Sequence, residues 1–426
     1  MERIMQYVWQ HRLWMSEDMV TNDGRRVQVL DPGRLNTDQG PDFFNAKVKI
    51  DGQVWVGNIE IHVRATDWHR HGHDTDKAYD SVILHVVDKD DAPVYRSNGE
   101  RIPQLVLQCS PRFGQQLSQL VNAQVEIPCA SSLPTLPALL VTEWTEALAF
   151  ERLHGKVGRI ADLHKSTTGN WEEICYVTLA RNLGFGVNSD AMERLARRTP
   201  LRLLHKHSDS LLQVEALLFG QAGMLTDVAV TDQYTSQLKR EYDFLANKFS
   251  LTPMEREAWK MFRMRPANFP ARRIAMLAHF IKGGFNLMQA ILVTADEKAL
   301  RELFSVELTG YWATHYALGK ESDMGARAMG NKSIDIVLIN TVAPLYYAYS
   351  EINGNYEMGE RAVSLLEQLP PERNSVIDAW NRAGIATPDA LSTQAMLQLK
   401  REYCDARKCI YCKFGHHLLS IAARLK

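Results

Sequence analysis

Apolar and polar positions alternate along the first third of the chain and recur at three and four afterwards. Ala46, Val48 and Ile50 fall on one face of an extended segment, with Lys47 and Lys49 on the other. Asp51-Gly52 is a two-residue hairpin signal. The return strand, Val54 to Val63, puts Ile59, Ile61 and Val63 on the buried face and Asn58, Glu60 and His62 together on the opposite one. Residues 67 to 80 read as an irregular loop with a short helix, while Ser81 to Val87 and Pro103 to Gln108 read as two further strands. A Pro- and Ser-rich stretch over 128–138 reads as a linker. Beyond it the three-and-four spacing, broken by Gly and Pro, predicts about ten helices. The expected fold is therefore α+β. A mixed α/β domain over 1–127 precedes the linker, an all-helical domain spans 139–403, and a Cys-rich clip with a final helix closes the chain over 404–426.

Composition narrows the function. The chain has 426 residues, with 49 Lys plus Arg against 50 Asp plus Glu, a formal charge of −1. That balance excludes a bulk polycation, so any nucleic-acid binding must use a local patch. No apolar run is long enough to span a membrane, and Met1 to Trp14 carries too many polar residues for a secretory signal. Six cysteines in a chain of this length are no disulfide scaffold. A cytoplasmic protein with no membrane partner is expected; the oligomeric state stays open. No phosphate-binding P-loop, dinucleotide glycine fingerprint or nucleophile elbow occurs.

The sharpest chemical signal lies in Asn36 to Val63. Asp42, just before the first hairpin strand, and Glu60, part-way along the second, are brought to one sheet end by the antiparallel return. Two carboxylates there suit a hard divalent cation, Mg²⁺ or Mn²⁺, which can activate water and stabilise charge on a phosphoryl oxygen. His62, two residues from Glu60 on the same face, is placed to orient or deprotonate that water, or to bind the metal. The plain alternative is an acid capping a turn and an exposed strand glutamate paired with Lys47 or Lys49.

Pro41-Asp42, Glu60-Ile61-His62, the hairpin order and the following helix and strand resemble the PD-(D/E)xK nuclease core. The resemblance implies a metal-dependent nuclease or phosphodiesterase that uses Asp42, Glu60 and His62, and so a nucleic-acid partner, DNA or RNA. The departure is His62, where that superfamily has Lys. An imidazole lacks the fixed positive charge, although it can act as a base near neutral pH. This departure also admits a non-catalytic binding or scaffold protein that keeps the core.

A second reading comes from the run Asp67-Trp68-His69-Arg70-His71-Gly72-His73-Asp74 and from His85 in the next strand. Imidazoles near carboxylates favour Zn²⁺, Mn²⁺ or Fe²⁺, which points to a metal hydrolase using His71, His73 and His85 with Asp42 or Glu60. Together, GPDFFNAKV, GNIEIHV, DWHRHGHDTDKAYDSVILHVV, EALLFGQAGML, FRMRPANFPARRIAMLA and INTVAPLYYAY are similar to an uncharacterised bacterial family, a domain of unknown function, over nearly the whole chain. That resemblance implies no activity.

Two further groups stand apart. Cys404, Cys409 and Cys412, followed by His416 and His417, have the spacing for a structural Cys₃His zinc site, with His416 as fourth ligand. An iron–sulfur cluster is one alternative, with Cys109, Cys129 or Cys175 folding back as fourth ligand; plain buried thiols are the other. Arg265, Arg272 and Arg273 surround Pro270, which can open a helix, and would hold phosphates at its positive end. Their bland reading is loop ion pairing.

Overall fold

The structure is a computed structural model that describes residues 1–15, 18–226, 232–262, 264, 268–294, 296–321 and 328–424. It divides into two compact units. The first comprises Met1–Trp144, Arg382–Ile385 and Leu399–Lys426; the second comprises Thr145–Asn381 and Ala386–Gln398. An N-terminal sheet followed by a larger helical region is the architecture expected from the patterning.

In the first unit, helix α1 (Glu2–Gln10) precedes strands β1 (Met19–Val20), β2 (Arg26–Asp31), β3 (Arg34–Leu35), β4 (Phe43–Ile50) and β5 (Gln53–Arg64). Then come the single-turn helix α2 (Asp67–Arg70), strands β6 (Val82–Lys89) and β7 (Gln104–Val106), and helix α3 (Pro111–Asn122). The sheet order is β1-β2-β4-β5-β6-β7, with β3 paired to β4. The turn between β4 and β5 has both central residues at positive φ, Asp51 at 48° and Gly52 at 88°, the mirror-image turn whose twist matches paired strands. Ala46, Val48, Ile50, Ile59 and Ile61 are buried as the alternation requires.

Beyond the hairpin the pairing changes hand. β5 and β6 run parallel, with Glu60 opposite His85 and His62 opposite Val87. An inner strand flanked on both edges, with the 66–80 loop folded over its polar face, buries both of its faces. Glu60 is therefore only 5% exposed and His62 1%. The open polar cleft implied by simple alternation is a closed one.

The domain boundaries need correcting. The 128–138 stretch is not a loose linker: Ala130–Thr135 forms a 3₁₀ turn with Leu133 buried, and helix α4 (Ala138–Ser166) begins directly after it. The division falls inside α4, between Trp144 and Thr145. The Cys-rich segment and final helix belong to the sheet unit, which the sequence order alone does not reveal.

The second unit is helical but not wholly so, since His315–Ala317 pairs with Lys320–Glu321. Its core wraps helices Trp171–Leu183 and Leu211–Gln221, both buried along most of their length. Five residues, Leu338–Val342, form a π-helical turn just before Pro344. There Asn340 donates its amide to Ile336 O at 2.9 Å, and Thr341 Oγ1 accepts from Asn182. These polar groups repair the backbone around the irregularity, as expected of an interrupted helix.

Candidate metal centre in the sheet unit

The centre is built from one strand and one loop. Glu60 and His62 come from β5, two residues apart and so on one face. His71 and His73 come from the loop after α2, where Gly72 turns the chain at φ +76°, a conformation that costs other residues strain. Trp68 pins this loop. Its ring is fully buried among Ala65, Val82, Val87, Val94 and Ile102, and its Nε1 donates to Tyr95 O at 3.0 Å. The same ring meets His73 edge-on at 5.3 Å and His85 at 5.2 Å. Tyr79 stacks on His73 at 3.7 Å and meets the Trp68 ring edge-on at 6.0 Å.

Three imidazoles converge. Ligand nitrogens of His62, His71 and His73 all lie within 4.8 Å of one another, and His62 Nε2 is 3.1 Å from His71 Nδ1. Glu60 Oε1 lies 3.5 Å from His62 Nε2 and 3.3 Å from His73 Nε2. Donors bonded at roughly 2.0–2.2 Å to one four- or six-coordinate ion stand roughly 3.0–3.5 Å apart, so these separations suit a shared cation. His85 sits behind the group: its Nε2 is 2.9 Å from His62 Nδ1. With a proton on His62 Nδ1, that bond leaves the His62 Nε2 lone pair facing His71 and Glu60. His85 Nδ1 is buried with no hydrogen-bond partner among the described residues.

Asp42 is tied to the strand backbone. Its Oδ2 accepts from the Ile61 N–H at 2.9 Å and its Oδ1 from Gln6 Nε2 at 2.9 Å, while its own N–H donates to Glu60 Oε2 at 3.0 Å. The hairpin does bring Asp42 and Glu60 together, but the Asp42 carboxylate is spent on these contacts.

Electrostatics reinforce the geometry. Burial pushes Glu60 up to about 8, against the pull of the Asp42 N–H. Burial and then the neighbouring Glu60 push Asp42 up to about 7. Burial, with the adjacent His73 and His71, drives His62 down to about 3. Burial also holds His73 below its ordinary value and His85 well below. Carboxyls that resist ionising thus face imidazoles that resist protonation. A divalent cation relieves both, taking imidazole lone pairs and stabilising the carboxylate.

The chain belongs to the family described as "Protein of unknown function (DUF2851)". Its model matches residues 2–375, most of the chain and all of this centre. No curated protein and no solved structure matches. Among the described residues, no helix is long and apolar enough to cross a membrane.

Other expected site residues fall elsewhere in this DUF2851 chain. His85 supports His62 rather than joining the ligand group. Arg272 and Arg273 are 3% and 4% exposed, which corrects their reading as displayed phosphate ligands. Arg272 donates to Trp312 O and His315 O, and Arg273 donates to Asn268 Oδ1 with its guanidinium 4.2 Å over the Phe185 ring. The helix they open, Pro270–Ile281, is buried through most of its length, so charge alone misled the surface assignment. Arg265 lies outside the described residues. His416, expected as a zinc ligand, instead has its Nδ1 2.6 Å from Tyr7 Oη and its ring 4.5 Å from that of His11. Gln6, Trp68 and Tyr79 carry the centre without having been singled out; two aromatics inside the histidine-rich run were the available signal.

Proposed function

We propose that the sheet unit is a metal-dependent phosphodiester hydrolase acting on nucleic acid, with its cation held by His62, His71, His73 and Glu60. The convergence of three imidazoles, two of them within 3.5 Å of the Glu60 carboxylate, carries this reading. An imidazole-rich set favours Zn²⁺, Mn²⁺ or Fe²⁺ over Mg²⁺, so the ligand set departs from the Asp42–Glu60 pair of the nuclease resemblance. Supporting the substrate class is the order of elements: a Pro-Asp before one strand, a Glu on its antiparallel partner, then a helix and a further strand. The cation would lower the pKa of water and offset charge on a phosphoryl oxygen. The water oxygen would bond to phosphorus as it gives up a proton to solvent, the bond to the leaving oxygen would break, and that oxygen would take up a proton in return. His62 is held in one tautomer by His85, and Asp42 acts as a positioning residue that fixes Glu60 through the backbone. His71, the exposed member, marks the side open to solvent.

The test is incubation of the purified chain with Zn²⁺ or Mn²⁺ and single- and double-stranded DNA and RNA, beside Glu60→Gln and His71→Ala. Cation-dependent cleavage, reduced on the order of 100-fold in both variants, is expected. Equal cleavage by parent and variants would assign the activity to a contaminant. Metal retention with no cleavage of any substrate would favour a non-catalytic binding protein.

A further inference from the structure

The cysteines expected to form a Cys₃His clip are joined by a fourth. Cys129 stands just before the 3₁₀ turn Ala130–Thr135, Cys404 ends a π-helical turn, Cys409 opens another 3₁₀ turn, and Cys412 immediately precedes the helix Lys413–Arg424. All four line one small cavity with Leu120 and Gly415, and all four are free thiols, between 6% and 9% exposed. His416 is not among the residues lining it. We propose that Cys129, Cys404, Cys409 and Cys412 form a four-thiolate centre for a thiophilic metal, either zinc or an iron–sulfur cluster.

A single buried cysteine is an ordinary small apolar side chain. Four cysteines brought from three separate turns to line one cavity are another matter, because sulfur is a poor hydrogen-bonding partner for its own kind. Burial raises the Cys412 thiol above its ordinary value, and local geometry pulls the other way. The Phe414 and Gly415 N–H groups, at the start of the final helix, point at its sulfur, and helix N-termini stabilise negative charge. Gly415 is required there, since a Cβ would stand 2.1 Å from Cys409 O. Without a cation the thiols oppose each other's ionisation: burial, then Cys412 and Cys409, push Cys129 up to about 12. A metal reverses this by binding the deprotonated sulfurs. Both candidate metals use four cysteine sulfurs, and the ligand set is what distinguishes this site from a Cys₃His clip.

The experiment measures zinc, iron and labile sulfide in a parent chain carrying His71→Ala and His73→Ala, which removes any metal held at the histidine centre, purified without oxygen, and then in the same chain with Cys129→Ser, His416→Ala or Cys109→Ser added. One zinc per chain, or iron with matching sulfide and a brown colour, is expected, the two results separating the metals. Cys129→Ser should lose nearly all of it; His416→Ala and Cys109→Ser should keep it. If Cys129→Ser does not fold, X-ray absorption at the metal edge of the parent decides, with four sulfur neighbours expected. A nitrogen neighbour lost in His416→Ala, full metal in Cys129→Ser, or a parent that stays metal-free after anaerobic supply of both metals would each overturn the proposal.

Discussion

The two compact units both bury polar and charged side chains, but they satisfy them in opposite ways. In the helical unit the charged heads of Lys156 and Arg361 meet neutral oxygens and an aromatic face. Lys156 Nζ donates to Asn340 Oδ1 at 3.0 Å and Gln394 Oε1 at 2.8 Å. Arg361 donates to Leu292 O at 2.8 Å and lies 4.7 Å over the Tyr346 ring. In the sheet unit, by contrast, buried titratable groups face one another: imidazole against imidazole and carboxyl, sulfur against sulfur. The first pattern sets these cations against acceptors. The second is short of positive charge. Buried polarity by itself says little about function; lone pairs aimed at a common point say a good deal.

The largest effect that sharpens this contrast comes from Trp68. Its replacement by Ala should cost about 3–5 kcal/mol, the usual range for a large buried aromatic, and should release His73 and His85 together. Urea unfolding and a zinc titration of the same variant check it. Wild-type zinc affinity in Trp68→Ala would show that the imidazoles do not depend on this wedge.

A smaller effect is expected in the helical unit. Asn268→Ala leaves the Arg273 guanidinium without its 2.7 Å partner, which should cost about 1–3 kcal/mol and leave metal content untouched. A variant as stable as the parent, with altered phosphate binding, would return Arg273 to a ligand role.

The smallest effect is a slope. Burial, with Arg152 nearby, lowers Lys156 to about 7 from an ordinary 10.5. The unfolded chain therefore binds this proton more tightly than the folded one between those values. Stability should rise with pH across that window and be level below it, by at most about 1.4 kcal/mol per pH unit for one proton. Lys156→Met should flatten the pH dependence of the melting temperature from pH 7 to 10; an unchanged profile would contradict the shift.

Much of the sheet was legible because alternation is local. Ala46 to Ile61 reads as a hairpin from period and turn chemistry, and the structure keeps that register. What alternation does not carry is the neighbour on the far edge. Pairing β5 to β6 in parallel set Glu60 opposite His85, which sealed the polar face and placed His85 behind His62 rather than beside His71 and His73. The histidine-rich run announced its residue types, while which imidazoles converge followed from which strand ran alongside. Cys129 was harder still, since only the return of the chain's last segment to the sheet unit puts it next to Cys404. Arg272 and Arg273 show the reverse failure: two adjacent charges suggest surface, but the helix around them is apolar and takes them inside.

The bond between His62 and His85 offers a way to watch the centre directly. An imidazole N–H buried between two rings exchanges slowly with solvent, so its proton persists in a nuclear magnetic resonance spectrum where those of exposed rings are lost. A cation bound at the opposite nitrogen of His62 draws electron density across the ring and moves that resonance. That resonance would report a cation at the centre without any substrate.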